Sequence, residues 1–264
     1  MPTSRLASQA AATEPKTRQV LPDNEGSHME SAPQLTGGGG GIGFWWEAGV
    51  VKYLQQRYGS SMGAWQMRGA SAGALTATLA ACSVNVDKAF DCAQRLAQEH
   101  RLFERSIGLT GVWGKIVRQW LDEVLPAEAA DLCRNRLKIA VRDMHTFKLV
   151  LLDQFDSKAE LVDANLASAH IPFFLDWKPF AVYRGRRYVD GSLQDAWRGK
   201  HSDKLTDNGR SLVITLQDDK LDMGRFGFVK LKDPKEVKGM ISSGYAYAER
   251  LDAAGTLARH FGTR

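Results

Sequence analysis

The chain has 264 residues, 44% of them apolar, which is enough to bury one sizeable core. Lys and Arg outnumber Asp and Glu by 35 to 30, but the basic residues are dispersed and form no run of the kind that grips nucleic acid. The longest nearly apolar stretch, Ala70 to Cys82, is about 13 residues, short of the roughly 20 that cross a bilayer, and the three cysteines Cys82, Cys92 and Cys133 have neither metal spacing nor the density of a disulfide framework.

Met1 to about Ala32 lacks apolar periodicity and is rich in Ala, Ser, Thr and Gln, so it reads as a disordered or targeting tail. Its bias towards Arg5, Lys16 and Arg18 over Glu14 is that of an organelle (plastid or mitochondrion) transit peptide. The domain is expected over residues 33–264. Pro33 to Thr36 is a candidate strand running into five glycines, Gly37 to Gly41. From Ile42 to Tyr58 the apolar residues Phe44, Trp45, Ala48, Val51 and Leu54 follow helical spacing, closed by Gly59. Trp65 to Arg68 is a second strand and Ser71 to Ala81 a small-residue helix. Further helices are expected over Val86–Arg101, Gly111–Leu125 and Lys158–Ala169, the last ended by Ile171-Pro172. Leu137–Val141 and Phe147–Leu152 are strand-like, and the second is so apolar that a central place in the sheet is expected. Arg187–Val189 leads into Asp190-Gly191-Ser192, and Leu212–Leu216 is one more buried strand. Asp233-Pro234 opens a last helix towards Phe261. Strands alternating with helices predict a three-layer α/β fold, a mostly parallel central sheet with helices on both faces.

Two glycine patterns carry chemistry. Gly38, Gly40 and Gly43 satisfy Gly-x-Gly-x-x-Gly between a strand and a helix, but no acidic residue stands between Glu47 and Asp87 to hold a ribose, and no Gly-Lys-Ser/Thr follows to hold phosphates. The nucleotide readings therefore fail on their second requirement. What remains is a loop whose N–H groups point inward beside a helix N-terminus, the arrangement that holds an oxyanion. Gly69-Ala70-Ser71-Ala72-Gly73 joins a strand to a helix and matches the nucleophile elbow, with Ser71 as nucleophile. A serine needs a base. Among the histidines, His201 sits in a very polar stretch that reads as solvated surface, and His260 lies near the end of the last helix. Asp190, at a strand end and before Gly191, is better placed, because a carboxylate in a dry cleft becomes more basic. A triad using Asp190 with His201 or His260 stays open as the alternative.

Glycine loop, Gly-Ala-Ser-Ala-Gly and Asp-Gly after a short strand, in that order, resemble the patatin-like phospholipase family of lipid acyl hydrolases. The resemblance runs from about Gln34 to Leu193. It includes Gly49-Val50-Val51-Lys52-Tyr53-Leu54, similar to the family's Gly-Val-Leu-Lys-Ala-Leu helix, and Ala167-Ser168-Ala169-His170-Ile171-Pro172, similar to its Ala-Ser-x-Ala-Ile-Pro segment. What the resemblance implies is a Ser71–Asp190 dyad without histidine, an oxyanion hole among Gly38, Gly39, Gly40 and Gly41, Gly191 as the turn supporting the base, and hydrolysis of phospholipid or acylglycerol esters through an acyl-enzyme. It implies no cofactor or metal. A lipid substrate and a cytoplasmic or peripheral place at a membrane or lipid-droplet surface follow, with no nucleic-acid partner. The rivals are the triad esterase and a catalytically silent lipid-binding or scaffold protein of the same fold. Two departures stand out: no basic residue follows the glycines, and Ser192 stands where the family has Gly or Ala, a small residue expected to matter little. Phe44-Trp45-Trp46 is read as core packing or as a wall for acyl chains, and Arg184, Arg186 and Arg187 as a solvated turn or a phosphate contact.

Overall fold

The computed structural model describes residues 32–193, 201–219 and 230–262, which belong to one compact unit beginning at Ala32. The readings made on the N-terminal tail lie outside the described residues. Among the described residues seven strands form one sheet: β1 (Gln34–Gly37), β2 (Gln66–Ala70), β3 (Leu137–Asp143), β4 (Leu149–Leu152), β5 (Ala181–Tyr183), β6 (Arg186–Asp190) and β7 (Leu212–Ile214). The backbone of the sheet is the parallel run β7-β1-β2-β3, and β4 and β6 pair antiparallel with β3, with β5 in turn antiparallel to β6.

The helices are α1 (Phe44–Tyr58), α2 (Ala72–Ala81), α3 (Val86–Glu99), α4 (Trp113–Val124), α5 (Ala129–Cys133), α6 (Lys158–Ser168), α7 (Asp203–Thr206), α8 (Pro234–Ala253) and α9 (Thr256–Phe261). Alternation of side chains along the strands assigns them to two faces. A side chain at Gly37 or Gly69 would strike Gly73 of α2, so those positions face α2. Thr36 and Arg68 face the other way, where Thr36 Oγ1 donates to the Leu205 carbonyl (3.5 Å) and Arg68 Nη1 to that of Lys204 (3.3 Å), both on α7. Helices thus cover both faces, as the alternation of elements in the sequence predicts.

Three expectations change. The apolar stretch around β4 is no central strand: β4 pairs with β3 alone among the described strands. Its sequence is apolar because both of its faces are covered, Leu149 and Leu151 against Ala70, Ala140 and Leu205, Val150 and Leu152 against the main core. The first two turns of α1 are buried on every side from Phe44 to Val51, so α1 is a core helix rather than an amphipathic one. It crosses α8 at van der Waals limit, since a Cβ on Gly49 would lie 2.0 Å from the Ile241 carbonyl oxygen and one on Gly244 1.9 Å from that of Trp46. The C-terminal helix begins as expected, with Asp233 and Glu236 forming a capping box behind Pro234, but Gly255 breaks it before α9.

Candidate functional site

A residue in a sheet has one neighbour on each edge, and β3 has three partner strands. Ala140 pairs with Ala70 of β2 and Leu151 of β4; the next residue, Val141, pairs with Asp190 of β6 and Val150 of β4. So β2 and β6 lie on the same edge of β3, one after the other. One is parallel to β3 and the other antiparallel, which makes their C-terminal ends meet. Ser71 follows the tip of one and Asp190 is the tip of the other.

Each tip is held by backbone geometry that only small residues permit. Ser71 has φ 56° and ψ −126°, a strained conformation for a residue with a side chain, and it begins α2. Its N–H donates to Ser168 Oγ (2.9 Å), whose own hydroxyl donates to the Ala140 carbonyl (2.6 Å), tying elbow, α6 and β3 together. The Asp190 N–H donates to the His170 carbonyl (2.9 Å) and that of Gly191 to the Ser168 carbonyl (3.1 Å). This gives the Ala-Ser-Ala-His-Ile-Pro segment its role, since its carbonyls cradle the Asp-Gly turn. Gly191 must be glycine because a Cβ there would sit 2.1 Å from the Ala140 carbonyl oxygen.

Asp190 is 2% exposed, and burial raises its carboxyl above the ordinary aspartate value, opposed by hydrogen bonds from Ser71 and Ser192 and by the charge of His170. Both the N–H (2.8 Å) and the hydroxyl (2.7 Å) of Ser192 donate to Asp190 Oδ1. Ser192 is therefore no passive small residue but a direct partner of the carboxylate. His170 is otherwise engaged, its Nε2 3.1 Å from the Lys178 carbonyl oxygen.

The glycine loop arches over these tips: a Cβ on Gly39 would lie 2.8 Å from the Ala70 carbonyl oxygen and 3.4 Å from the Ser192 side chain. Gly39, Gly40 and Gly41 all have positive φ, a run that no other residue type sustains. Their N–H groups are not equivalent. That of Gly38 donates to the Ile214 carbonyl (3.0 Å), extending the β1–β7 ladder, and that of Gly39 to Glu47 Oε1 (3.2 Å). Those of Gly40 and Gly41 have no acceptor among the described residues, and neither has that of Ala72, the residue after Ser71.

From Ser71 an apolar cavity of about 140 Å³ runs between α1, α3 and α4, lined by Phe44, Trp45, Leu75, Phe90, Ile116 and Trp120 among others. Gly41 and Ala72 line it as well. Phe44 and Trp45 are wall, while Trp46 is core, its Nε1 donating to Asp219 (2.9 Å). The half-exposed Phe103, at 53%, also lines the cavity and so marks its mouth. The two loops there are joined by the Gly111 N–H donating to the Phe174 carbonyl (2.7 Å), and they carry exposed Ile107, Phe173 and Trp177.

Except for His201, the remaining candidates separate from the site. His260 neighbours Phe261, which stacks on Trp65 at the start of β2, the opposite end of that strand from Ser71. His201 is not solvated surface. Its ring lies against the glycine loop, 2.9 Å from where a Gly38 Cβ would be, facing Glu47 and Asp218. Arg184 pairs with Asp156 and Glu160, Arg186 with Asp143, and Arg187 lies over the Phe180 ring, so that turn is an ion-pair network. Cys82 and Cys133 are buried thiols with sulfurs 3.6 Å apart. Sequence reasoning missed Ser168, Ala72 and Glu47. Only Ala72 had a signal, its place one residue after an elbow serine.

The sequence from 35 to 196 matches the family model described as Patatin-like phospholipase. Human patatin-like phospholipase domain-containing protein 2 is 35% identical over 132 residues, 48% of this chain and 25% of that protein. A mouse 1-acylglycerol-3-phosphate O-acyltransferase is 33% identical over 130 residues, covering 48% and 31%, and a mouse omega-hydroxyceramide transacylase 27% over 157, covering 59% and 26%. The matched stretches span less than a third of these relatives' own lengths. The family model covers well over half of the 264 residues, and the chain belongs to the patatin-like phospholipase family.

Proposed function

We propose that this protein is a lipid acyl hydrolase that works through Ser71 and Asp190. The observation that carries the reading is the meeting of the β2 and β6 tips on adjacent residues of β3, at the head of an apolar cavity. Asp190 Oδ1 is taken up by Ser192, so the serine proton passes to Oδ2 as Ser71 Oγ bonds to the ester carbonyl carbon. The carbonyl electron pair moves onto oxygen, where the N–H groups of Gly40, Gly41 and Ala72 receive it. Collapse breaks the ester C–O bond, the proton on Asp190 goes to the leaving alcohol, and an acyl-serine remains with its chain in the cavity. Asp190 then takes a proton from water as the water oxygen bonds to the acyl carbon; the Ser71 Oγ–C bond breaks, the proton passes from Asp190 to Ser71 Oγ, and the free acid leaves. An alcohol in place of that water completes an acyl transfer, the activity named for two of the relatives.

A fluorophosphonate probe is expected to label Ser71 in folded protein and not the Ser71→Ala variant. If peptide mapping finds Ser71 unlabelled, the serine mechanism fails. If Ser71 is labelled but a double His201→Ala, His260→Ala protein loses turnover, the triad replaces the dyad. Product analysis with a long-chain acylglycerol and a second alcohol present reads free acid against transferred ester.

The mouth of the cavity is the side we assign to the lipid surface. Phe103, Ile107, Phe173 and Trp177 are each at least half exposed there, on loops joined to one another. Replacing Phe103 and Trp177 together with serine is expected to cut co-sedimentation with phosphatidylcholine vesicles about tenfold, with turnover of a soluble short-chain ester little changed. Undiminished vesicle binding would move the contact elsewhere.

A further inference from the structure

Among the described residues, the most buried carboxyl group outside the Ser71–Asp190 pair is that of Glu47, and the chemistry above leaves it unused. It is 1% exposed, in the first turn of α1. Burial pushes its carboxyl up to about 7, against the opposing pull of Thr76, the Gly39 N–H, the charge of His201 and the Gly38 N–H. Burying such a group beside glycines is costly unless something is gained.

The geometry points to Glu47 as a positioning residue that presets the oxyanion loop by holding the Gly39 N–H. The inference rests on the Ser71 mechanism proposed above. Four glycine N–H groups follow one another in the loop. The first is committed to the sheet through Ile214 and the second to Glu47 Oε1 at 3.2 Å, while the next two are left for the substrate. Gly39, Gly40 and Gly41 have φ values of 84°, 138° and 56°, and glycine has little preference of its own to keep them there. An acceptor that pins Gly39 from the α1 side fixes where the two peptides after it point. Glu47 Oε2 also stands 3.0 Å from where a Gly37 Cβ would be, so the carboxyl lies against the base of the loop as well, beside the contact of Gly37 with Gly73 of α2. Preorganised donors are worth more than donors recruited during the reaction, because no reorganisation is needed as charge develops. Holding Gly39 therefore acts on the barrier and not on substrate binding.

The test compares two replacements that both remove the ionisable group. Glu47→Met fills a similar volume and has no acceptor, whereas Glu47→Gln keeps an acceptor oxygen for the Gly39 N–H. With a short-chain p-nitrophenyl ester, Glu47→Met is expected to lower kcat about 10- to 100-fold with KM changed less than about threefold, and Glu47→Gln to recover most of that loss. The rate of fluorophosphonate labelling at Ser71 should fall and recover in parallel. Equal losses in the two variants, a loss carried by KM, or full kcat in Glu47→Met would overturn the assignment. If Glu47→Met does not fold by circular dichroism, Glu47→Ala is judged by the same readings. The two failures are distinguishable: wild-type protein left unlabelled at Ser71 defeats the serine mechanism and this inference with it, while labelled wild type beside a fully active Glu47→Met defeats this inference alone.

Discussion

Asp190→Asn is expected to lower ester turnover by about 10³- to 10⁴-fold while leaving the protein at least as stable at neutral pH. Asparagine keeps an oxygen to accept from the Ser192 N–H and hydroxyl, which now bond to Oδ1, so the turn is preserved. What disappears is a base. The stability half follows from the raised carboxyl of Asp190. Its folded value lies above its unfolded one, so its contribution to stability is full below the ordinary aspartate value of 3.8 and is lost as pH rises through the folded value. At neutral pH the native enzyme bears that loss and the asparagine variant does not. The same shift sets the acid limb of catalysis: kcat/KM should rise with pH through a midpoint above 3.8, because the base works only when ionised. Thermal melts of both proteins and a pH–rate profile of the wild type check the two halves. A variant that melts well below wild type at pH 7 would mean that the carboxylate is held for structure.

Gly73→Ala is expected to cost the fold heavily for the single carbon it adds. Its Cβ would lie 2.1 Å from the Gly37 carbonyl oxygen, where α2 meets the end of β1. The neighbouring approach is as close, since a Cβ on Gly69 would meet the Gly73 carbonyl oxygen at 2.1 Å. Backbone cannot swing aside as a side chain can, so the expected destabilisation is about 3 kcal/mol. For a chain of this size that is a drop in Tm of about 6–12 °C. Gly239→Ala supplies the control. Gly239 is inside α8 with open space at its Cβ position, and alanine there should stabilise by roughly 0.5–1 kcal/mol through helix propensity alone. If both glycines tolerate alanine equally, the close approach of α2 to β1 is not what the chain needs them for.

How much of this was legible beforehand depended on whether the signal was local. The strand-to-helix turn at Ser71 is written within five residues, and the helix start at Asp233-Pro234 in four, so both turns stand where short patterns place them. The place of Asp190 at a strand end before a glycine is a local signal as well. The place of β4 was not legible, because an apolar stretch is produced equally by a central strand and by an edge strand covered on both faces. The identity of the uncommitted glycines was hidden for a different reason. Five identical residues carry no register, and the partners that distinguish them, Ile214 and Glu47, are contributed by other elements. Glu47 carries no local signal, since a lone carboxylate in a helix of that apolar spacing is equally compatible with an exposed face. Only the packing of α1 against α2 and α8 removes that face from water.

The end-to-end placement of β2 and β6 along β3 has a consequence for how this protein could be remodelled. The spacing of Ser71 and Asp190 is written in the hydrogen-bond register of one strand, not in the fit of side chains between helices. Much of the cavity wall comes from α1, α3 and α4, which take no part in that register, while Leu75 of α2 and the segment carrying Ala169 and Ile171 complete it. Under the function proposed above, much of the selectivity is thus carried by parts of the molecule separate from the chemistry. Phe90, Ile116 or Trp120 can be exchanged to lengthen or shorten the chain that fits, and the reacting atoms keep their ruler.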